Sequence, residues 1–345
     1  MSEADFLRAD SLYRRQPGPL TDTLQYRTAH AFKTNDVAEQ EVFFKAYSEQ
    51  KDIPPARFAA AILLHDLENP AAARRFAQLS QDPKRSAEQR ALADASLAYI
   101  DAEQGRFRAA VERVRASTLP FKTRLYAELA NTPLSVIPRE QLATLRSEVL
   151  AMDSVPADSM PASQLRSYVR LYRAAVLSCR AADFNAATQF AQRLRTVPAP
   201  AYWKPSLAQL ADEIDAQVDL ENNRPLDALR KLERHPTILA ADLGGAFSWG
   251  SSIPMWRAEA LFRAQRYDEA AQWFDNLDEA VVSGAPHVAY ILLRRAQIAD
   301  ARNESEKARD LYARFLKLWD QPDPEVRRVV DQARNRLAAL QAKVS

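Results

Sequence analysis

Apolar side chains recur along the chain at intervals of three and four residues, in stretches that are all short. The segment Ala260–Phe274 (ALFRAQRYDEAAQWF) is typical: one apolar stripe ends, a polar run of a few residues follows, and a second stripe begins. This recurrence predicts amphipathic helices, and no useful length of chain alternates apolar and polar residues as a strand would. The pattern therefore predicts an all-helical protein made of short helices joined by tight turns.

Proline placement agrees with short helices. Many of the twenty prolines stand where a helix would begin, namely Pro55, Pro70, Pro138, Pro161, Pro225, Pro286 and Pro324. The first turn of a helix tolerates proline because its missing N–H has no partner within the helix there. Glycine is scarce, with six in the chain and four of them between positions 244 and 284, which leaves a composition rich in helix formers elsewhere.

The turn in the opening segment recurs. In six segments an alanine is followed twelve residues later by a second alanine, and an apolar residue stands four positions after that. We call this spacing the frame. The pairs are Ala60–Ala72, Ala98–Ala110, Ala175–Ala187, Ala216–Ala228, Ala258–Ala270 and Ala296–Ala308. Two antiparallel helices cross closely only where side chains are small. Because a lone hairpin cannot bury both of its faces, a period of about 40 residues predicts stacked hairpins.

The frame predicts about eight hairpins with a helix before them and a cap after them. Their ranges are 20–50, 55–81, 85–117, 121–152, 161–196, 203–235, 252–282 and 286–319. The loop 152–161 divides them into an N-terminal group, 1–152, and a C-terminal group, 161–320. Residues 323–343 form the predicted capping helix, with an apolar stripe of Val326, Val329, Val330, Ala333, Leu337 and Leu340.

The best copy of the frame, Tyr267-Asp-Glu-Ala270 with Ala258, Leu261 and Phe274, resembles the tetratricopeptide repeat, and residues 105–117 with Ala98 are similar to it. Residues 291–340 are similar to the last repeat and cap of tetratricopeptide regions attached to bacterial Ser/Thr protein kinases and transcriptional regulators. The resemblance implies a right-handed α-solenoid that binds a protein or peptide in a concave groove. It also implies an adaptor or regulatory role in bacterial signalling. The kinase and winged-helix motifs themselves are absent from the sequence, so the role would be to act on such a domain rather than to contain one.

The resemblance further implies that residues one, four and five after the first alanine line the groove. The candidate partner-binding residues are Tyr99, Arg180, Glu259, Phe262, Arg263 and Gln297, from a wider set that adds Ala102, Glu103, Val176, Cys179, Gln217, Leu220, Glu221, Asp300 and Ala301. Mixed charge with aromatic side chains suits a peptide or helix segment more than a polyphosphate.

A second interpretation concerns Ala241–Pro254, the longest break in the repeat. Insertions into a solenoid tend to lie on one rim, often the binding rim. Phe247 and Trp249 could form a lip over a small ligand, in which case the chain would be a sensor that acts on a kinase or transcription factor. The plain alternative is a linker that covers its neighbours.

Charge and reactive residues narrow the function. Lys and Arg number 47 against 45 Asp and Glu, which argues against a dedicated nucleic-acid or membrane surface. The N-terminus carries acids and has no apolar core region, so we do not expect a signal peptide there. No apolar run has the length of a membrane span, and the single Cys179 requires no oxidising compartment. The four histidines are scattered, and Gly244-Gly245 lacks the phosphate-loop Lys. We expect a cytoplasmic, non-catalytic protein without metal or cofactor; an unrecognised enzyme is the third interpretation.

Overall fold

A computed structural model describes residues 31–49, 68–118, 122–151, 160–235, 253–280 and 287–342. Within these ranges the chain forms helices and turns and no strand, so the all-helical prediction is confirmed there. In chain order the helices are α1 (Val37–Glu49), α2 (Pro70–Leu79), α3 (Ala87–Glu103), α4 (Phe107–Ala116), α5 (Lys122–Asn131), α6 (Arg139–Ala151), α7 (Met160–Arg180), α8 (Phe184–Thr196), α9 (Lys204–Glu221), α10 (Pro225–Leu232), α11 (Ile253–Arg263), α12 (Tyr267–Ala280), α13 (Val288–Ala301), α14 (Ser305–Leu318) and α15 (Arg327–Ala342). A 3-10 turn at Pro324–Val326 leads into α15.

The helices pack in chain order, each against the next. Helices α3 to α14 form six hairpins, which match the six predicted ranges from 85–117 onward, except that α7 begins one residue before 161–196. Helices α1 and α2 lie within 20–50 and 55–81, the rest of which is largely outside the described residues. The predicted helix before residue 20 and most of the loop 152–161 are outside them too.

The paired alanines of the last five copies of the frame are fully buried. All ten of them from Ala98 to Ala308 have an exposed fraction of 0%, and the residue four positions after each second alanine is at most 4% exposed. Because an alanine side chain is a single methyl group, the two helix backbones can approach closely where two alanines meet. The larger residue one turn later, such as Phe274, then fills the space beside the contact.

The first copy of the frame was assigned one residue too early. Ala73 is fully buried, whereas Ala72 is 7% exposed. The N–H of Ala73 donates to the carbonyl of Asn69, just as the N–H of Ala187 donates to that of Asp183 in a later hairpin. Three consecutive alanines at 71–73 satisfy the pattern in more than one register, so the sequence alone could not select the right one.

The turns between paired helices repeat one backbone conformation. In six described joints the second residue after the helix has a left-handed φ of 56° to 71°; these residues are Asn35, Gly105, Ala182, Asn223, Gln265 and Asn303. In the joint at Gly105, its N–H donates to the Ala102 carbonyl at 2.9 Å, and the Arg106 N–H donates to the Asp101 carbonyl at 2.8 Å. The other five joints have the same two bonds. This Schellman arrangement pairs carbonyls that a helix end leaves free, and it turns the chain back in the same direction each time.

This conformation predicts that glycine at a joint raises stability. Left-handed backbone costs an L-residue about 1 kcal/mol relative to glycine. We expect Gln265→Gly to raise the free energy of unfolding by about 1 kcal/mol, because Gln265 is exposed and has φ of 60°. Gln192→Gly, at an exposed position inside α8, should lower it by about as much. Urea denaturation of both variants tests this; a Gln265→Gly protein less stable than wild type would contradict the assignment.

The last hairpin returns to the first one that is fully described. Glu103, the last residue of α3, is 1% exposed, and its carboxylate oxygens accept from the backbone N–H groups of Val288 at 3.0 Å and Ala289 at 3.2 Å. These are the first residues of α13, where N–H groups lack partners within the helix and carry partial positive charge. The Trp319 indole N–H donates to the Glu103 carbonyl at 2.9 Å. Glu103 thereby joins α3 to α13, two helices that are far apart in the chain.

Gly105 is required at this contact for two reasons. Its φ of 71° is left-handed, and a Cβ atom built on it would lie 2.9 Å from the Trp319 ring and 3.0 Å from the Pro322 side chain. With no side chain in the way, the Asp323 N–H donates to the Gly105 carbonyl at 2.9 Å, and the Asp323 carboxylate accepts from the Arg108 N–H at 2.9 Å. The turn after α3 therefore lies directly against the segment after α14.

Buried side chains also connect the region around α3 with the last helices. Those of α3 to α6 form one packed cluster with those of residues 288–340, across the sequence boundary proposed at 152–161. In α15 and the turn before it, Val326, Val330, Ala333 and Leu340 are at most 3% exposed. These residues belong to the predicted apolar stripe, and α15 packs against α14.

The burial of Glu103 predicts a pH-dependent stability. Burial raises the pKa of its carboxyl from 4.5 to about 7, although backbone N–H groups of residues 287–289 oppose this. The folded protein therefore binds this proton more tightly than the unfolded chain does. The resulting contribution to the free energy of unfolding is fully present below pH 4.5 and is lost as pH rises through 7. Between pH 5 and 8 we expect the free energy of unfolding of wild type to fall by about 2.5 kcal/mol relative to Glu103→Gln. Parallel profiles for the two proteins would show that Glu103 is not the titrating group.

Candidate functional site

The first helices of the hairpins lie side by side. Neighbours in the series α3, α5, α7, α9, α11 and α13 contact each other, and Glu103 joins α13 back to α3. We call the side chains of these helices that do not face their hairpin partners the first-helix face. All six candidate residues predicted for the groove belong to these helices.

Tyrosine–glutamate hydrogen bonds join neighbouring first helices at three places. In each, the tyrosine hydroxyl on one helix donates to a glutamate carboxylate on a neighbouring first helix. The pairs are Tyr99–Glu128 at 2.6 Å, Tyr172–Glu213 at 2.7 Å, and Tyr290–Glu259. Burial raises the pKa of the Tyr172 and Tyr290 hydroxyls, and the adjacent carboxylates raise it further. Both hydroxyls therefore keep their protons and remain donors at neutral pH.

Glu259 is at the centre of the largest of these networks. Its side chain is fully buried, and its carboxylate accepts from the Arg263 Nε at 2.6 Å. Arg294, on α13, donates to the two Glu259 oxygens from Nε and Nη2, both at 2.8 Å. Burial disfavours the Arg294 charge, yet the Tyr290 hydroxyl and Glu259 raise the pKa of the guanidinium above its usual value. The paired charges hold α11 and α13 together.

Phe262 and Gln297 lie beside the same arginine. The Arg294 guanidinium carbon is 4.5 Å from the centre of the Phe262 ring, and its Nη1 donates to the Gln297 side-chain oxygen at 2.7 Å. Both residues are half-buried. Three of the six candidates, Glu259, Phe262 and Gln297, thus contact one buried arginine that the sequence did not single out.

Arg180 supports a chain segment between α5 and α6. Its Nη2 is 3.3 Å from each of three backbone carbonyls, those of Thr132, Pro133 and Ser135. Its carboxylate neighbour, Glu221 on α9, is 3.9 Å away, and only 16% of the Arg180 side chain is exposed. Burial lowers the pKa of the Arg180 guanidinium, with Glu221 opposing the shift.

The expectation that the candidates are exposed contacts is wrong for Glu259, which is fully buried, and Arg180 is mostly buried. Tyr99 is half-buried, and Arg263 is the exposed member of the set. In the wider set, Ala102, Glu103, Val176, Cys179, Gln217 and Leu220 are also buried. The physical reason is the close packing of neighbouring first helices, which places these positions between helices. Phe247 and Trp249 lie outside the described residues.

The residues that complete the networks were missed from the sequence. The bonds from Glu128 to Tyr99, and from Tyr290 and Arg294 to Glu259, span at least 29 positions, so no local spacing predicts them. One signal was available: Glu259 stands between Ala258 and Ala260, both fully buried, in a helix with little other charge. A lone carboxylate in such surroundings indicates a buried ion pair, because an unpaired buried charge is very unfavourable.

Reactive chemistry is sparse in the part of the chain that the structure describes. No group of three or more metal-ligating side chains occurs among those residues. Cys179 is 2% exposed, and burial raises the pKa of its thiol well above the usual value, which suits a packed side chain. Nor is any helix of the described ranges long and apolar enough to span a membrane.

Comparisons with known proteins give no relative. No protein-family model matches the chain, and no curated protein sequence matches it. The argument for function therefore starts from the geometry of the described residues.

The Glu259 network predicts a large loss of stability on truncation. Glu259→Ala would leave the Arg294 and Arg263 guanidiniums without their shared carboxylate, and breaking a buried ion pair costs about 3–5 kcal/mol. Glu306→Ala, where the side chain is 96% exposed, is the matched control and should change stability by less than about 0.5 kcal/mol. Thermal and urea denaturation measure both. Equal stability of the two variants would mean that Glu259 is not a structural charge.

Proposed function

We propose that the chain is a non-catalytic, tetratricopeptide-like α-solenoid whose first-helix face binds a protein or peptide segment. The observation that carries the proposal is the recurrence of one structural unit: six joints with the same two hydrogen bonds, and five hairpins with a fully buried alanine on each helix. Stacked repeats of this kind create one long surface from many equivalent helices, which suits an extended partner better than a small reactant.

The chemistry of the first-helix face also supports a peptide partner. Tyr99, Phe262, Arg263 and Gln297 keep part of their side chains accessible on this face. Aromatic and arginine side chains carry much of the binding energy in protein interfaces, especially when they are held in place before binding. Arg294 holds Phe262 and Gln297 in this way, and Glu259 holds Arg263. The resemblance to regions beside bacterial kinases and regulators extends the proposal to an adaptor or regulatory role.

Site-specific photocrosslinking tests the proposal. We expect a benzoylphenylalanine probe at position 262 or 297 to capture a defined protein from lysate of the native host, and a probe at position 306 or 334, on the exposed sides of α14 and α15, to capture none. Capture at 306 and 334 but not at 262 and 297 would move the binding surface away from the first helices. Circular dichroism of each labelled protein checks that the helices are intact.

A further inference from the structure

Helix α7 has an unusual charge distribution. It carries Arg166, Arg170, Arg173 and Arg180 and no acidic residue. At about 100° per residue, the four arginines fall within an arc of about 80° on one side of the helix, and they span about 21 Å along its axis. Arg166 is exposed and Arg170 is half-buried, so the N-terminal half of this stripe is accessible.

The neighbouring first helix adds to the positive charge. Helix α5 carries Lys122 and Arg124 and one acid, Glu128, so the two helices together hold six cations and one carboxylate. Since the whole chain has a formal net charge of +2, the remaining residues are net acidic. Glu128 is contacted by Arg124 at 2.8 Å and by Arg173 at 3.4 Å, so one carboxylate serves two arginines.

The buried arginines of α7 are poorly compensated by comparison with Arg294. Arg294 has a bidentate carboxylate, and its pKa is raised. Arg180 has three neutral carbonyls and a carboxylate 3.9 Å away, and burial lowers its pKa; burial also lowers the pKa of Arg173. An additional anion near α7 would therefore be favourable, because it would offset charge that the protein itself leaves incompletely paired.

We propose that the arginine face of α7, together with α5, receives an acidic peptide segment of the partner. This rests on the proposed function and specifies its partner. An extended peptide presents every second side chain to one face, with a repeat of about 6.6 Å, close to the roughly 6 Å along the axis between Arg166 and Arg170. Guanidinium groups bind carboxylates through two parallel hydrogen bonds, which gives geometry as well as attraction.

The same face offers little to a nucleic acid. Bases bind single-strand proteins by stacking on aromatic rings beside a basic groove. The two tyrosines of α7, Tyr168 and Tyr172, are 1% exposed, and their hydroxyls donate to the Pro198 carbonyl and to Glu213. Ser167 and Val169 flank the two accessible arginines at equal angles, one on each side, and neither offers an aromatic ring to a base.

Fluorescence anisotropy on the full chain tests the proposal. The probe is a fluorescein-labelled 12-residue peptide that alternates Glu and Ser; its control alternates Gln and Ser. In 0.15 M salt we expect the Glu peptide to bind and the Gln peptide to bind at least tenfold more weakly. Arg166→Gln with Arg170→Gln should weaken binding of the Glu peptide at least tenfold. Arg327→Gln with Arg328→Gln, an equal charge change at exposed positions of α15, should change it less than twofold.

Three results would overturn the acidic-peptide assignment: no binding of the Glu peptide to wild type, equal weakening in both double variants, or tighter binding of a 12-nucleotide single-stranded DNA. Each is separable from failure of the proposed function, because crosslinking at positions 262 and 297 does not depend on α7 charge. If probes at positions 262 and 297 capture a protein equally well from the wild type and from the Arg166→Gln, Arg170→Gln variant, the binding function is retained and the acidic partner is rejected.

Discussion

The close approach of paired helices at alanine is the constraint that places the other residues. In each of five hairpins the two alanines have no exposed surface, so the helix axes can lie as near as their backbones allow. A larger side chain at either position would separate the helices and shift the next hairpin with them. The left-handed joint that follows the first helix of each of these five hairpins then repeats the same reversal of direction. Spacing and direction together bring the first helices into one row.

Close packing of that row explains why so much charge is buried. Positions that would face solvent on an isolated hairpin lie between neighbouring helices instead, and Glu213 and Glu259 have no exposed surface there. A carboxylate in such a place must be paired or protonated, since water is no longer available to solvate it. The tyrosine and arginine partners meet this requirement and restrict how adjacent helices can slide. The accessible groups beside them are consequently held in one orientation.

The sequence predicted the local part of this structure well. Apolar residues spaced three to four apart predict the helices, and the repeat of about forty residues predicts the hairpin ranges and the buried alanines. Both periodicities can be read from the sequence without knowledge of any distant contact. The prediction was wrong by one residue at Ala73, because Ala72 and Ala73 both fit the frame. Side-chain pairs between first helices were not predictable, since their partners depend on how far each hairpin rotates relative to the previous one. The contact from Glu103 to α13 has no local signal at all.

The contact of Glu103 with α13 has a consequence for how the chain folds. In an open array each hairpin depends on its immediate neighbours, so unfolding can start at an end and proceed piecewise. Contact between the two hairpins removes that independence, because loss of either one exposes the other. Glu103 and Val288 are 185 residues apart, which at about 5–20 residues per second means roughly ten to forty seconds of synthesis. During that interval the newly made α3 ends in a solvated carboxylate, because its contact with α13 can form only after α13 has emerged.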